Sequence, residues 1–117
     1  MFPEFEVVPA VDMQDGQVVQ LVGGERGTEK TYGEPVTAAG RWVEAGARTL
    51  HLVDLDGAFE GQRGNADAIE AVIDAVGEDV AVQLGGGIRT ADDAVELLDR
   101  GVDRVILGTA AVETPDI

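Results

Sequence analysis

The sequence predicts an α/β fold, half of a (β/α)8 barrel of the form (βα)3β, with parallel strands. Three observations carry this. Apolar runs of strand length alternate with segments of helical periodicity along all 117 residues, and such alternation is the signature of a parallel sheet with helical crossovers. The residues that follow the strands recur: Val11-Asp12 and Val53-Asp54 place an acid there, while Leu84-Gly85 and Leu107-Gly108 place a glycine. Acids and phosphate loops gather at that carboxyl rim in α/β barrels, and a complete barrel needs about 250 residues. An open flavodoxin-like sheet is the runner-up, because its ligands also sit beyond the strand ends.

The elements follow in order. Val7-Val8-Pro9-Ala10-Val11 reads as the first strand, and its proline suits an edge position. Asp15-Gly16 is a turn signal, after which Gln17 to Val22 can add a small hairpin arm. Gly23 to Gly27 reads as a mobile loop, and Arg26 within it is a candidate for closing over a ligand. Pro35 opens the first helix, Val36, Ala39, Trp42 and Val43 give its apolar face, and Gly46 stops it. Thr49 to Val53 is the second strand. A helix capped by Asn65 follows, with Ala68, Ile69, Val72, Ile73 and Val76 at helical spacing and Gly77 as its stop. Val80 to Leu84 is the third strand, Thr90 to Gly101 the third helix, and Arg104 to Leu107 the fourth strand. Thr114-Pro115-Asp116 reads as the opening of a fourth helix.

The stretch from Val80 to Arg89 organises the rest. A buried strand runs into Gly85, Gly86 and Gly87 and then into a helix start at Thr90, with Asp93 three positions on. Glycines permit positive φ and remove every Cβ, so amide N–H groups can converge on an anion. The same run also suits an ordinary turn without a ligand. Gly108, Thr109 and Ala110 after the fourth strand offer a second set of small residues beside it.

Composition excludes several classes. Net charge is −15, from 23 Asp and Glu against seven arginines and Lys30. Nucleic-acid binding needs a basic face and is not expected. There are no cysteines, so neither a disulfide nor a thiolate metal site is available, and no metal is expected. No apolar run approaches the ~20 residues of a membrane span, and a cytoplasmic protein without membrane partners is the default expectation. The acid excess with a single lysine suggests life in high salt.

At this point the motifs resemble a family. Val8-Pro9-Ala10-Val11-Asp12, Asp15-Gly16 with Val18-Val19-Gln20-Leu21, His51 to Ala58, Gly85 to Arg89 and Gly101 to Ala111 look like the ribotide isomerase of the fourth step of histidine biosynthesis. The resemblance covers the amino-terminal half of that family's TIM barrel. The sister cyclase usually carries a cysteine where this chain has Ala10.

The resemblance implies a cofactor-free Amadori rearrangement of an aminoaldose to an aminoketose. Asp12 matches the catalytic base, and the partner acid belongs to the fifth strand, in the other half of the barrel. The substrate is a phosphorylated ribotide with two phosphates. Gly85, Gly86, Gly87, Gly108, Thr109 and Ala110 are expected to hold one of them, or inorganic phosphate.

Asp54 and Asp56 are candidates for orienting substrate or for pairing with Arg89, with a structural role as the alternative. His51 is expected to be a packed histidine, since no second base lies at useful spacing. The exposed edges expected of the first and fourth strands predict self-association, most simply a homodimer closing a barrel, with Trp42 near the contact. The alternative function is a catalytically silent half barrel that binds phosphate and self-associates.

Overall fold

The computed structural model describes residues 7–20, 30–60 and 65–108. A single sheet carries the strands in the order β3 (Lys30–Gly33), β2 (Gln17–Gln20), β1 (Ala10–Gln14), β4 (Thr49–Asp54), β5 (Ala81–Gly85) and β6 (Arg104–Ile106). Strands β1, β4, β5 and β6 are parallel neighbours in chain order. Helix α1 (Pro35–Glu44) follows the hairpin arm, α2 (Leu55–Glu60) and α3 (Ala66–Val76) follow β4, and α4 (Ala91–Asp99) follows β5.

One apolar cluster joins alternate strand residues, among them Val11, Met13, Leu50, Leu52, Val82 and Leu84, to Ala39 of α1, Ile69, Val72 and Val76 of α3, and Leu97 of α4. All three longer helices therefore cover the same face. The opposite face carries Asp12, His51, Gln83 and Arg104 and, among the described residues, none of the helices that pack into this core. Helices on one face and strands in sequential order are consistent with a segment of a barrel. A doubly wound sheet would have helices on both faces.

The arm begins as expected. Asp15 (φ 51°) and Gly16 (φ 75°) both adopt positive φ, the requirement of a type I′ hairpin turn, and β2 folds back antiparallel to β1. Pro35 stands at the start of α1 and the chain leaves the helix through Gly46 at φ 100°. Thr90 caps α4, its Oγ1 accepting from the Asp93 N–H at 3.1 Å.

Three expectations need correction. The first strand begins after Pro9 and ends at Gln14, so Asp12 lies within it. Proline offers no N–H but its carbonyl accepts from the His51 N–H at 2.9 Å, which suits the mouth of a strand and not its interior. Nor is β1 a bare edge: it pairs with β4 along one side and, through Met13 and Gln14, with β2 on the other. Finally, the second strand runs on through Asp54 and passes directly into the short helix α2, an element the sequence did not announce. Arg26 and the Gly23–Gly27 loop, Thr109, Ala110 and the Thr114–Asp116 helix signal lie outside the described residues.

Candidate functional site

The uncovered face of the sheet holds the chemistry. Parallel register sets its side chains in two rows, Ala10–His51–Gln83–Arg104 and, one step nearer the carboxyl rim, Asp12–Val53–Gly85–Ile106. Asp12 is half-buried in the second row. Burial pushes its carboxyl above the ordinary range, and the neighbouring His51 partly opposes that rise. An open groove of about 600 Å3 runs beside it, bounded by Val18, Ala38, Arg41, Trp42 and Ala45.

The glycine turn begins in the same row, at Gly85. Gly86 (φ 104°) and Gly87 (φ 76°) both need positive φ. A Cβ on Gly86 would run into the Asp54 carbonyl, and one on Gly87 would lie 2.6 Å from Gly57 Cα. Gly57 in turn approaches the Gly86 oxygen, at 2.8 Å from its own hypothetical Cβ. The glycines thus let the turn after β5 lie backbone to backbone on the turn after β4, a structural cause for the run independent of any ligand.

The positive end of α4 is already met by the Thr90 cap and by Asp92 and Asp93 in its first turn. An anion at this rim would depend on the amides of the glycine turn. Gly108, at the end of β6, is exposed with open space around its Cα.

Asp54 and Asp56 are engaged within the fold, the structural role that stood as the alternative to orienting a ligand or pairing with Arg89. Alternation puts Asp54, the last residue of β4, on the helix-covered side, fully buried, while Asp12 faces the other way. Asp54 Oδ1 accepts from the Gly57 N–H at 2.9 Å and from Asn65 Nδ2 at 2.7 Å. Asp56 Oδ2 accepts from the same Asn65 amide at 3.0 Å and from the Asp15 N–H at 2.9 Å. Asn65 Oδ1 accepts from the Gly16 N–H at 2.6 Å, and its Nδ2 also reaches the Met13 carbonyl at 3.3 Å. This buried polar knot ties the hairpin turn to the ends of β1 and β4. Arg89 is exposed, and among the described residues no ion pair joins it to either acid.

The structure therefore sets Asp12 and Gly85 in one row of the open face, while the Asp54 side chain lies on the helix-covered side and its backbone lies against Gly86. Two residues were underrated by sequence reasoning. Asn65 stands at the N-cap of α3, but its side chain makes no capping bond and serves the two carboxylates instead. Two nearby buried acids in need of donors were the available signal. His51 shares the open face with Asp12, which follows from strand alternation once the register is known. A second cavity of about 340 Å3 lies between α3 and α4, where Arg100 bridges Glu96 at 3.0 Å and Glu70 at 4.0 Å. It is on the helix side of the sheet, away from Asp12.

Comparison with known proteins adds the following. Residues 6–117 match the family model described as histidine biosynthesis protein. The chain is 86% identical over its whole length to a phosphoribosyl imidazole-4-carboxamide isomerase of Haloarcula marismortui, covering 48% of that protein. It is 80% identical over its whole length to the Natronomonas pharaonis protein of the same name, again covering 48%. A Methanosarcina acetivorans protein of that name is 53% identical over 115 residues, 97% of this chain and 47% of the relative. The chain spans about half the length of the curated relatives it matches.

Proposed function

Because the chain belongs to the histidine biosynthesis protein family, we propose that it supplies the amino-terminal half of a cofactor-free aminoaldose–ketose isomerase acting on a phosphorylated ribotide. One observation carries this reading: Asp12 and Gly85, the residue that opens the glycine turn, share one row of the open face toward the carboxyl end of a parallel sheet. The names of the relatives favour isomerisation over a silent phosphate binder.

The rearrangement needs one group to take a proton from the carbon beside the imine and another to protonate the opening ring oxygen. Asp12 is the base in this reading. Burial raises its proton affinity, which strengthens a carboxylate as a base. The glycine turn and Gly108 hold a substrate phosphate against backbone amides, with Thr109 and Ala110 assigned to the same site by sequence. The acid that protonates the ring oxygen comes from a second half barrel.

The exposed large apolar side chains support such a partner. Val7, Val8 and Trp42 are exposed near the start of β1, and Val95 and Leu98 of α4 and Ile106 of the edge strand β6 are exposed on the other side. A second copy or a carboxyl-terminal half can cover these apolar side chains. Two copies would present two glycine turns to the two phosphates of the ribotide. Among the described residues no helix is long and apolar enough to cross a membrane, and we assign the protein to the cytoplasm with its pathway.

The test is an assay of ribotide isomerisation at defined oligomeric state, with complementation of a histidine auxotroph. Turnover is expected from a closed assembly and should fall by about 10²-fold or more in Asp12→Asn, the scale of general-base catalysis. Undiminished turnover in that variant would overturn the assignment.

A further inference from the structure

We propose that Gln14 is a ligand-recognition residue on the face that carries Asp12, its side-chain oxygen accepting from a neutral O–H or N–H donor of the ribotide; this rests on the isomerase reading above. The starting observation is an unmet acceptor. Gln14 Oε1 is shut off from solvent, and among the described residues no donor reaches it. Buried polar atoms in folded proteins are nearly always hydrogen-bonded, so an exception calls for a cause. Gln83, another glutamine of the open face, shows the usual state: its Oε1 accepts from Arg104 Nη1 at 2.7 Å.

Strand geometry places the unmet oxygen beside the chemistry. Val11 and Met13 are fully buried in the core, and Asp12 and Gln14 alternate with them as partly exposed residues. Both side chains therefore leave β1 on the open face, about 7 Å apart along the strand. Gln14, the last residue of β1, is the nearer to the carboxyl rim. A bisphosphorylated ribotide is longer than that separation, so one molecule can meet both residues. The backbone at Gln14 is fixed from two sides. Gln14 pairs with Gln17 across the hairpin turn, and the N–H groups of Asp15 and Gly16 in that turn donate to Asp56 at 2.9 Å and to Asn65 at 2.6 Å. The main chain is thus held in place while the side-chain oxygen is left without a partner, an arrangement suited to receiving a ligand. Gln14 as a whole stays partly exposed, so rotation of its side chain brings the amide out to the rim and exchanges an unpaired oxygen for a paired one. A carbonyl oxygen needs a donor. It fits a hydroxyl or N–H group of the ligand and leaves the phosphates, which present acceptor oxygens, to the glycine turn.

The experiment compares the native chain with Gln14→Met, which keeps the length of the side chain and removes both polar atoms, by calorimetry in the assembly that binds ribotide. Ribotide affinity should fall about fivefold, the scale of one neutral hydrogen bond, while affinity for inorganic phosphate stays at the native value. In turnover, KM should rise by the same factor with kcat nearly unchanged. A purely structural Gln14 would move both affinities together through the fold, or neither. Equal ribotide affinity in Gln14→Met therefore overturns the proposal, and so does an equal loss for ribotide and phosphate. If Gln14→Met does not fold, NMR of the native chain decides: the side-chain amide resonances of Gln14 should shift on adding ribotide and stay in place with inorganic phosphate. Resonances that ignore the ribotide overturn the proposal. A native chain that binds no ribotide in any assembly removes the isomerase reading and this recognition role with it. Ribotide bound equally well with and without the Gln14 amide removes the recognition role alone.

Discussion

At Asp12, function and stability pull in opposite directions. Its carboxyl is raised in the folded protein by burial, so the fold binds the proton more tightly than the unfolded chain. The stability this contributes is fully present below the ordinary carboxylate pKa and is lost as pH rises through the folded value. At neutral pH the half-buried carboxylate is a burden on the fold. Asp12→Asn should therefore melt above the native chain at pH 7, and the difference should vanish in strong acid; thermal melts at both pH values check it.

Asn65 is the opposite case. It serves two buried carboxylates, the turn at Gly16 and the Met13 carbonyl at once. Asn65→Ala strands those groups without water, at a cost of about 3 kcal/mol, and should lower the melting temperature by more than about 10 °C. A shift of a degree or two would show that the knot contributes little.

Among elements, the β5–α4 turn is set by backbone contact before any ligand is considered. Gly86→Ala meets both a positive φ and the Asp54 carbonyl, and should cost about 2 kcal/mol or more. Gly85→Ala places its Cβ at ordinary contact, 3.5 Å from Ile106 and 3.7 Å from His51, and should melt near the native temperature. Substitution at Gly86 is consequently a poor test of anion binding, since lost binding and lost fold coincide. Gly108 has open space, and Gly108→Asp adds a negative charge to the rim without strain. Calorimetry with inorganic phosphate should then show affinity about tenfold weaker, the scale of a nearby like charge. Equal affinity would place the anion elsewhere.

For the whole molecule, the decisive feature is a sheet whose core helices, among the described residues, pack on one side only. The face with Asp12 and His51 carries none of these helices among the described residues. A net charge of −15 opposes the meeting of two such chains at low ionic strength, and salt screens that repulsion. Sedimentation equilibrium in concentrated KCl should give a dimer at micromolar concentration, and Trp42→Glu, at a side chain 45% exposed beside β1, should shift it toward monomer. A native chain that stays monomeric in high salt would refute self-association.

Much of the architecture was legible in residue order. Strand and helix periodicity, Pro35 and Gly46 around α1, Thr90 before α4 and Asp15-Gly16 at the hairpin act within a few residues, through φ preferences, caps and local apolar spacing, so the chain alone settles them. The fold class and the resemblance that points to Asp12 belong to this group. Which acid faces which way did not belong to it. Asp12 and Asp54 each follow an apolar run, but a shift of one residue in the start of β1 reverses a side chain's face. That start is decided by the pairing of β1 with β4, with Pro9 held outside the strand. In the same way Asn65 left its cap for Asp54 and Asp56, and the glycines met Gly57, because residues far apart in the chain come within hydrogen-bonding distance only when the strands align.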